Sequence, residues 1–140
     1  MKHFNYIFCN RNSYICLNDL YIYIMSILLN KDDFPHTFKK AVDICSQLLN
    51  ISKDEILSKS AKRNITDIKK LIVYKFYSLK QHDKDNLVNL ISKEFNCGHS
   101  NVVYWYNKAK ELYSSDPAFR SNYGVFSTEL DLYIKNSKKS

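Results

Sequence analysis

The chain has 140 residues, 45% of them hydrophobic and 14% aromatic, and a formal net charge of +7. That is enough chain and enough apolar content for one domain with a buried core, which excludes wholesale disorder, and two glycines and two prolines are too few breakers for the many turns of an all-β fold. The basic balance fits a polyanionic partner (DNA, RNA or an anionic membrane surface), while solubility alone also accounts for a basic small protein.

Residues 14–29 are strongly apolar, but Asn18 and Asp19 interrupt them, and the unbroken run over residues 20–29 is too short to span a bilayer. No small-residue cleavage site follows, as a signal peptide requires. Residues 1–32 are therefore read as an N-terminal apolar extension with three alternatives. It is a helix docked on the core, a helix that touches a partner or a membrane, or upstream sequence read in by an early start, with Met25 opening a shorter chain. Residues 33–136 form the helical domain and residues 137–140 a basic tail.

The helical pattern begins at Phe34, with Pro35 in the first turn and Asp32 or Asp33 as cap. Phe38, Val42, Cys45 and Leu49 recur at spacings of three and four, which makes one apolar stripe, and Asn50 is a natural stop. Ser52 and Glu55 have the spacing of a capping box. The short helix they open is expected to run to about Ser58 and to bury Ile56 and Leu57. Residues 59–64 carry Lys59, Lys62 and Arg63 with only Ala61 as an apolar residue, so they read as an exposed basic loop.

A long helix is expected from about Ile65, capped by Asn64 or Thr66, with Ile65, Ile68, Ile72, Phe76 and Leu79 on its buried face and an end near Gln81 and His82. Asp83 or Asp85 caps the next helix, which buries Leu87, Leu90, Ile91 and Phe95. A tight turn over residues 96–98 follows, and another helix starts near His99 with Val102, Tyr106, Ala109 and Leu112 as its stripe and Ser100 as a possible cap. Two helices joined by such a turn have the grammar of a helix-turn-helix, whose second helix enters the DNA major groove. Asp116 and Pro117 restart the chain as cap and first helical residue. The last helix is expected to bury Phe119, Tyr123, Phe126, Leu130 and Ile134, weakened in its middle by Gly124. The fold class is all-α.

Four cysteines (Cys9, Cys16, Cys45 and Cys97) form no C-x-x-C pair, and the four histidines have no zinc-ligand spacing. Free thiols and a cytoplasmic location are the default, with no metal and no cofactor expected. His82 with Asp83 and Asp85 reads as a helix junction. Cys97 and His99 make a thiol–imidazole pair only in composition, so no catalytic residues are assigned and an enzyme is not expected.

The run Ile56-Leu57-Ser58-Lys59-Ser60-Ala61-Lys62-Arg63, the long helix after it, and Cys97-Gly98-His99-Ser100-Asn101-Val102 together resemble the C-terminal DNA-binding domain of the bacterial replication initiator DnaA. The family's corresponding motifs are Leu-Leu-Ser-Lys-Arg-Arg and Arg-Asp-His-Thr/Ser-Thr-Val. The resemblance covers about Ala41 to Leu112 and implies a Trp-repressor-like helical fold containing a helix-turn-helix. It also implies that His99, Ser100 and Asn101 face the bases and that Lys108 lies in the family's basic helix end. Cys97 and Gly98 stand where the family has its DNA-contacting Arg and base-reading Asp. The turn is one residue shorter, and Thr66-Asp67-Ile68-Lys69 replaces the Arg-Pro-Arg-like run that opens the long helix. The scaffold therefore carries over while the family's base code does not. Nothing resembles the initiator's ATPase, because neither Gly98 nor Gly124 belongs to a P-loop.

Lys59, Lys62, Arg63, Lys69 and Lys70 are expected on DNA phosphates, with the Tyr104 hydroxyl and Lys108 joining them, because cations beside a helix-turn-helix supply sequence-neutral affinity. Trp105 is expected to pack on a neighbouring helix. The function expected is double-stranded DNA binding in replication initiation or control, or in transcription regulation, in a phage or mobile element. Replication or transcription proteins and a second copy of the chain are possible partners. One alternative is a protein-interaction adaptor that kept the fold and lost sequence readout, and Gly98 and Asp67 favour it. Another is a membrane-surface or self-associating protein working through residues 20–29.

Overall fold

A computed structural model describes residues 34–79 and 84–139. Among these, six helices follow in order: α1 (Phe34–Leu49), α2 (Lys53–Ile56), α3 (Arg63–Leu79), α4 (Lys84–Phe95), α5 (His99–Ser115) and α6 (Pro117–Lys139). No strand occurs among them. The apolar extension over residues 1–32, the caps expected at Asp32, Asp33 and Asp83, and the helix end near Gln81 and His82 lie outside the described residues.

α3 is the hub, because its apolar residues are not confined to one stripe. Ile65, Ile68, Leu71, Ile72, Val73, Phe76 and Leu79 are all buried, so the helix is enclosed rather than half-wet. It touches every other described helix and packs most extensively on α5. The expected stripe of α1 meets it through aromatic rings. The Phe34 and Phe38 ring centroids lie 4.9 and 5.8 Å from that of Phe76, and Phe38 meets Phe95 of α4 edge-on at 5.0 Å. Cys45, at the far end of the α1 stripe, is fully buried, and burial pushes its thiol up to about 12. It is an apolar filler with no reactive thiolate.

Two helices end in the same way. Asn50 and Asn96 adopt left-handed backbone, with φ of 55° and 54°, a conformation that asparagine tolerates better than most residues. The Ile51 amide then donates to the Ser46 carbonyl at 3.2 Å. At the end of α4 the Asn96 and Cys97 amides donate to the Lys93 and Ser92 carbonyls at 3.3 and 3.0 Å. This closes the last turn and leaves the chain pointing away from the helix axis.

The helix starts differ in places from what the spacing predicts. Ser52 Oγ accepts from the Glu55 amide at 3.2 Å, and the Ser52 hydroxyl donates to the Glu55 carboxylate at 3.4 Å. The box thus closes on the hydroxyl. α2 stops at Ile56, which is buried, while Leu57 is 41% exposed because the chain has already left the helical face there. α3 begins two residues earlier than expected, at Arg63. The Lys62 carbonyl accepts from the Ile65 and Thr66 amides at 3.1 and 3.0 Å, so Lys62 is the boundary residue in place of Asn64 or Thr66. Asp85 falls inside α4 and not ahead of it.

Asp116 caps α6 as expected, its carboxylate accepting from the Ala118 amide at 3.0 Å. Phe119, Phe126, Leu130 and Ile134 are buried, and Tyr123 and, on α4, Leu90 are half-buried. The helix passes through Gly124 unbroken and continues to Lys139, beyond the start of the expected tail at residue 137. Its buried stripe outweighs the roughly 1 kcal/mol that a mid-helix glycine costs. A buried ion pair fixes its register against the hub: Lys75 Nζ lies 2.7 Å from Asp131 and donates to Ser127 Oγ at 2.6 Å. Burial lowers the Lys75 ammonium from the ordinary lysine range, and the Asp131 carboxylate pulls it back up.

Truncating the hub ring by Phe76→Ala is expected to cost about 3–5 kcal/mol. Urea unfolding checks this: the midpoint should fall with no change of slope, and a loss below about 1 kcal/mol would contradict the hub role.

Candidate nucleic-acid interface

The turn over residues 96–98 sets the start of α5. Gly98 is the cap residue, in extended backbone at φ −79° and ψ 160°, and no side chain caps the first amides. Ser100 is therefore not the cap. It lies two residues after the cap, within the first turn, with its side chain exposed beside those of His99 and Asn101.

Val102, Trp105 and Ala109 form the buried face of α5, and Tyr106 and Leu112 are partly covered on its flanks. Helical rotation of about 100° per residue puts Ser100, Val103, Tyr104 and Asn107 on the opposite, outward face. His99 and Asn101 fall on its two edges. Val103 is 44% and Tyr104 55% exposed. His99, Ser100 and Asn101, the three residues expected to face bases, are thus brought to one helix end, with Ser100 central and the other two flanking. Val103 and Asn107 belong to this surface and are not evident from the motif. The spacing of Val102 and Ala109, which fixes the inward direction, carries the signal that finds them. No Asp or Glu occurs before Glu111 in α5.

The basic residues separate into two groups. Lys59, Lys62 and Arg63 are exposed, Arg63 with 84% of its side chain free. Lys69, expected on phosphate, is instead buried, 4% exposed. Its ammonium donates to the Ser58 carbonyl at 2.5 Å and lies 5.7 and 5.3 Å from the Phe95 and Trp105 ring centroids. The reason is its position in the stripe: Lys69 falls four residues after Ile65 and three before Ile72, on the inward side of α3. An ammonium there must be received by a carbonyl and by π-faces. Burial lowers Lys69 from the ordinary lysine range, and the nearby Cys97 opposes this.

Lys69 therefore acts as a clasp. It ties the chain just before the basic loop to the end of α4 and to α5, where Trp105 packs edge-on against Phe95 at 5.5 Å. The loop and the turn consequently lie close enough to interact electrostatically. Burial raises the Cys97 thiol, while Lys69 and Lys59 both pull it down.

The remaining expected cations are partly engaged. Lys70 is mostly covered and pairs with Asp67 at 3.3 Å, and Arg63 approaches the same carboxylate at 3.9 Å. Lys108 lies 3.5 Å from Glu111 and over the Tyr104 ring at 5.8 Å. The exposed Arg63–Asp67 and Lys108–Glu111 pairs are weak and can re-form around another anion, while the Lys70–Asp67 pair is partly covered. Among the described residues, no three of His, Cys, Asp or Glu come together to hold a metal ion, and no helix is long and apolar enough to cross a membrane. The chain matches no protein-family model, no curated protein and no solved structure.

Replacing the clasp by Lys69→Met keeps an apolar stem but leaves the Ser58 carbonyl without its donor. The expected cost is about 1–3 kcal/mol, with a shift in the emission of Trp105, the single tryptophan. Lys59→Met and Lys62→Met should each stay within about 0.5 kcal/mol, as surface substitutions do. Equal stability of all three in urea titrations would remove the clasp.

Proposed function

We propose that this chain binds double-stranded DNA, with α4, the turn and α5 acting as a helix-turn-helix of the Trp-repressor-like kind. α5 enters the major groove by its N-terminal turns, and Lys59, Lys62 and Arg63 rest on phosphates beside it. One observation carries the reading: the buried Lys69 holds Ser58, from which the exposed basic loop leaves, and lies over the Phe95 and Trp105 rings at the end of α4 and on α5, while the outward face of α5 presents hydrogen-bonding side chains with no acid before Glu111. A role in replication initiation, its control, or transcription regulation comes from the resemblance of residues 56–63 and 97–102 to the initiator's motifs. His99, Ser100 and Asn101 are the base readers in this proposal. Tyr104, Lys70 and Lys108 are supplementary phosphate contacts, Lys70 and Lys108 becoming available once their carboxylate partners yield.

A protein-interaction adaptor is the second reading, favoured by Asp67, which sits between Arg63 and Lys70 and lowers the local positive charge. The two separate in a duplex-binding titration. With Lys62→Glu and Arg63→Glu combined, affinity at low salt should fall by roughly tenfold or more. The slope of log affinity against log salt should flatten by about 0.9 for each phosphate contact removed. Unchanged binding by this variant sinks the phosphate assignment, and absence of duplex binding by the unaltered chain leaves the adaptor.

A further inference from the structure

Val103 is the unexplained residue of α5. Its side chain is 44% exposed on the outward face, to one side of the central Ser100 and Asn107, although Val102, beside it, already supplies the apolar contact to the core. A lone exposed valine would be ordinary. This one has a specific setting. One helical turn before it stand His99 and Ser100, one turn after it stands Asn107, and all three are exposed. From Asn107 onward the exposed positions of α5 are polar: Lys110, Glu111, Ser114 and Ser115. The apolar spot is thus confined to the first two turns, ringed by hydrogen-bonding groups, on the part of a recognition helix that reaches base edges.

The edge of an A·T pair in the major groove has the same composition. The thymine 5-methyl is an isolated apolar group beside the O4 acceptor, with adenine N6 and N7 as donor and acceptor across the pair. We propose that Val103 is a specificity-determining residue that packs its isopropyl group on a thymine 5-methyl, while His99 and Ser100 address polar groups of the same or the adjoining pair. This rests on the DNA-binding reading above and goes beyond it by naming the base. The branched side chain is stiff about χ1 in a helix, so little freedom is lost on contact. Tyr104, 55% exposed and adjacent with Lys108 over its ring, turns toward the groove wall, where its hydroxyl meets the backbone.

The test compares thymine with uracil, which differs only by that methyl. The full chain is first used to select duplexes from a random pool. Each thymine of the selected site is then replaced singly by deoxyuridine, and affinities are measured for the unaltered chain and for Val103→Ala. An exposed helical Val→Ala change does not threaten the fold, and circular dichroism checks this. At one or two positions the replacement should weaken the unaltered chain by roughly three- to tenfold. Val103→Ala should bind the thymine site more weakly by a similar factor and be insensitive to uracil at those positions, the signature of a coupled pair.

Sequence-specific binding that no uracil replacement alters overturns the proposal, as does a Val103→Ala variant that keeps the full uracil effect. Salt-steep binding with no enriched sequence overturns it while leaving DNA binding intact. Absence of binding to any duplex at low salt overturns both.

Discussion

Two lysine ammonium groups buried along one helix are the constraint on which the rest of this structure depends. A charge taken out of water must be received by a partner of good geometry or the fold loses several kcal/mol. Lys69 and Lys75 lie six residues apart in α3, and each recruits a different part of the chain. Lys75 takes Asp131 and Ser127 and so fixes α6 along the hub. Lys69 takes the Ser58 carbonyl and the faces of Phe95 and Trp105 and so fixes the loop before α3, the end of α4 and α5. Apolar packing alone would permit some sliding of these elements over a helix buried nearly all round. The ammonium partners allow little, because hydrogen bonds and π-faces are directional where burial is not.

The same constraint gives the candidate interface its shape. An exposed loop of three cations would ordinarily be free to wander. Here it emerges from Ser58, a residue held by Lys69, and re-enters helix at Arg63 with Lys62 receiving the first amides. The turn on the other side is closed by Asn96 in left-handed backbone. The exposed charge of the loop and the turn that opens α5 are therefore carried on short segments pinned at both ends. In the DNA-binding proposal, such a surface would meet a duplex with its ordering costs already met in folding instead of in binding.

Much of the fold was legible in the sequence because burial leaves a period. The stripes Phe38, Val42, Cys45 and Ile65, Ile68, Ile72, Phe76 identify helices and their inward faces, and Asn50, Ser52 and Asp116 mark boundaries by local hydrogen bonding that needs no distant partner. Errors arose where a local signal competed with another. Ser100 has the chemistry of a cap, yet the chain turns at Gly98, so the hydroxyl faces outward. Leu57 has the hydropathy of a core residue, but α2 ends before it. Lys69 reads in the sequence as one more surface cation, because charge normally seeks water. Its place between Ile65 and Ile72 was the available sign that it does not.

What the sequence determined by itself is the inventory: an all-helical chain, the order of its helices, most of the residues they bury, and an excess of positive charge near a turn between two helices. These follow from periodicity, caps and composition, which act over one or two turns of chain. Which of the lysines remain on the surface was decided only by tertiary structure. The reason is that an ammonium group is neither inward nor outward by nature. Its position depends on whether distant residues, here Ser58, Phe95 and Trp105, arrive to receive it.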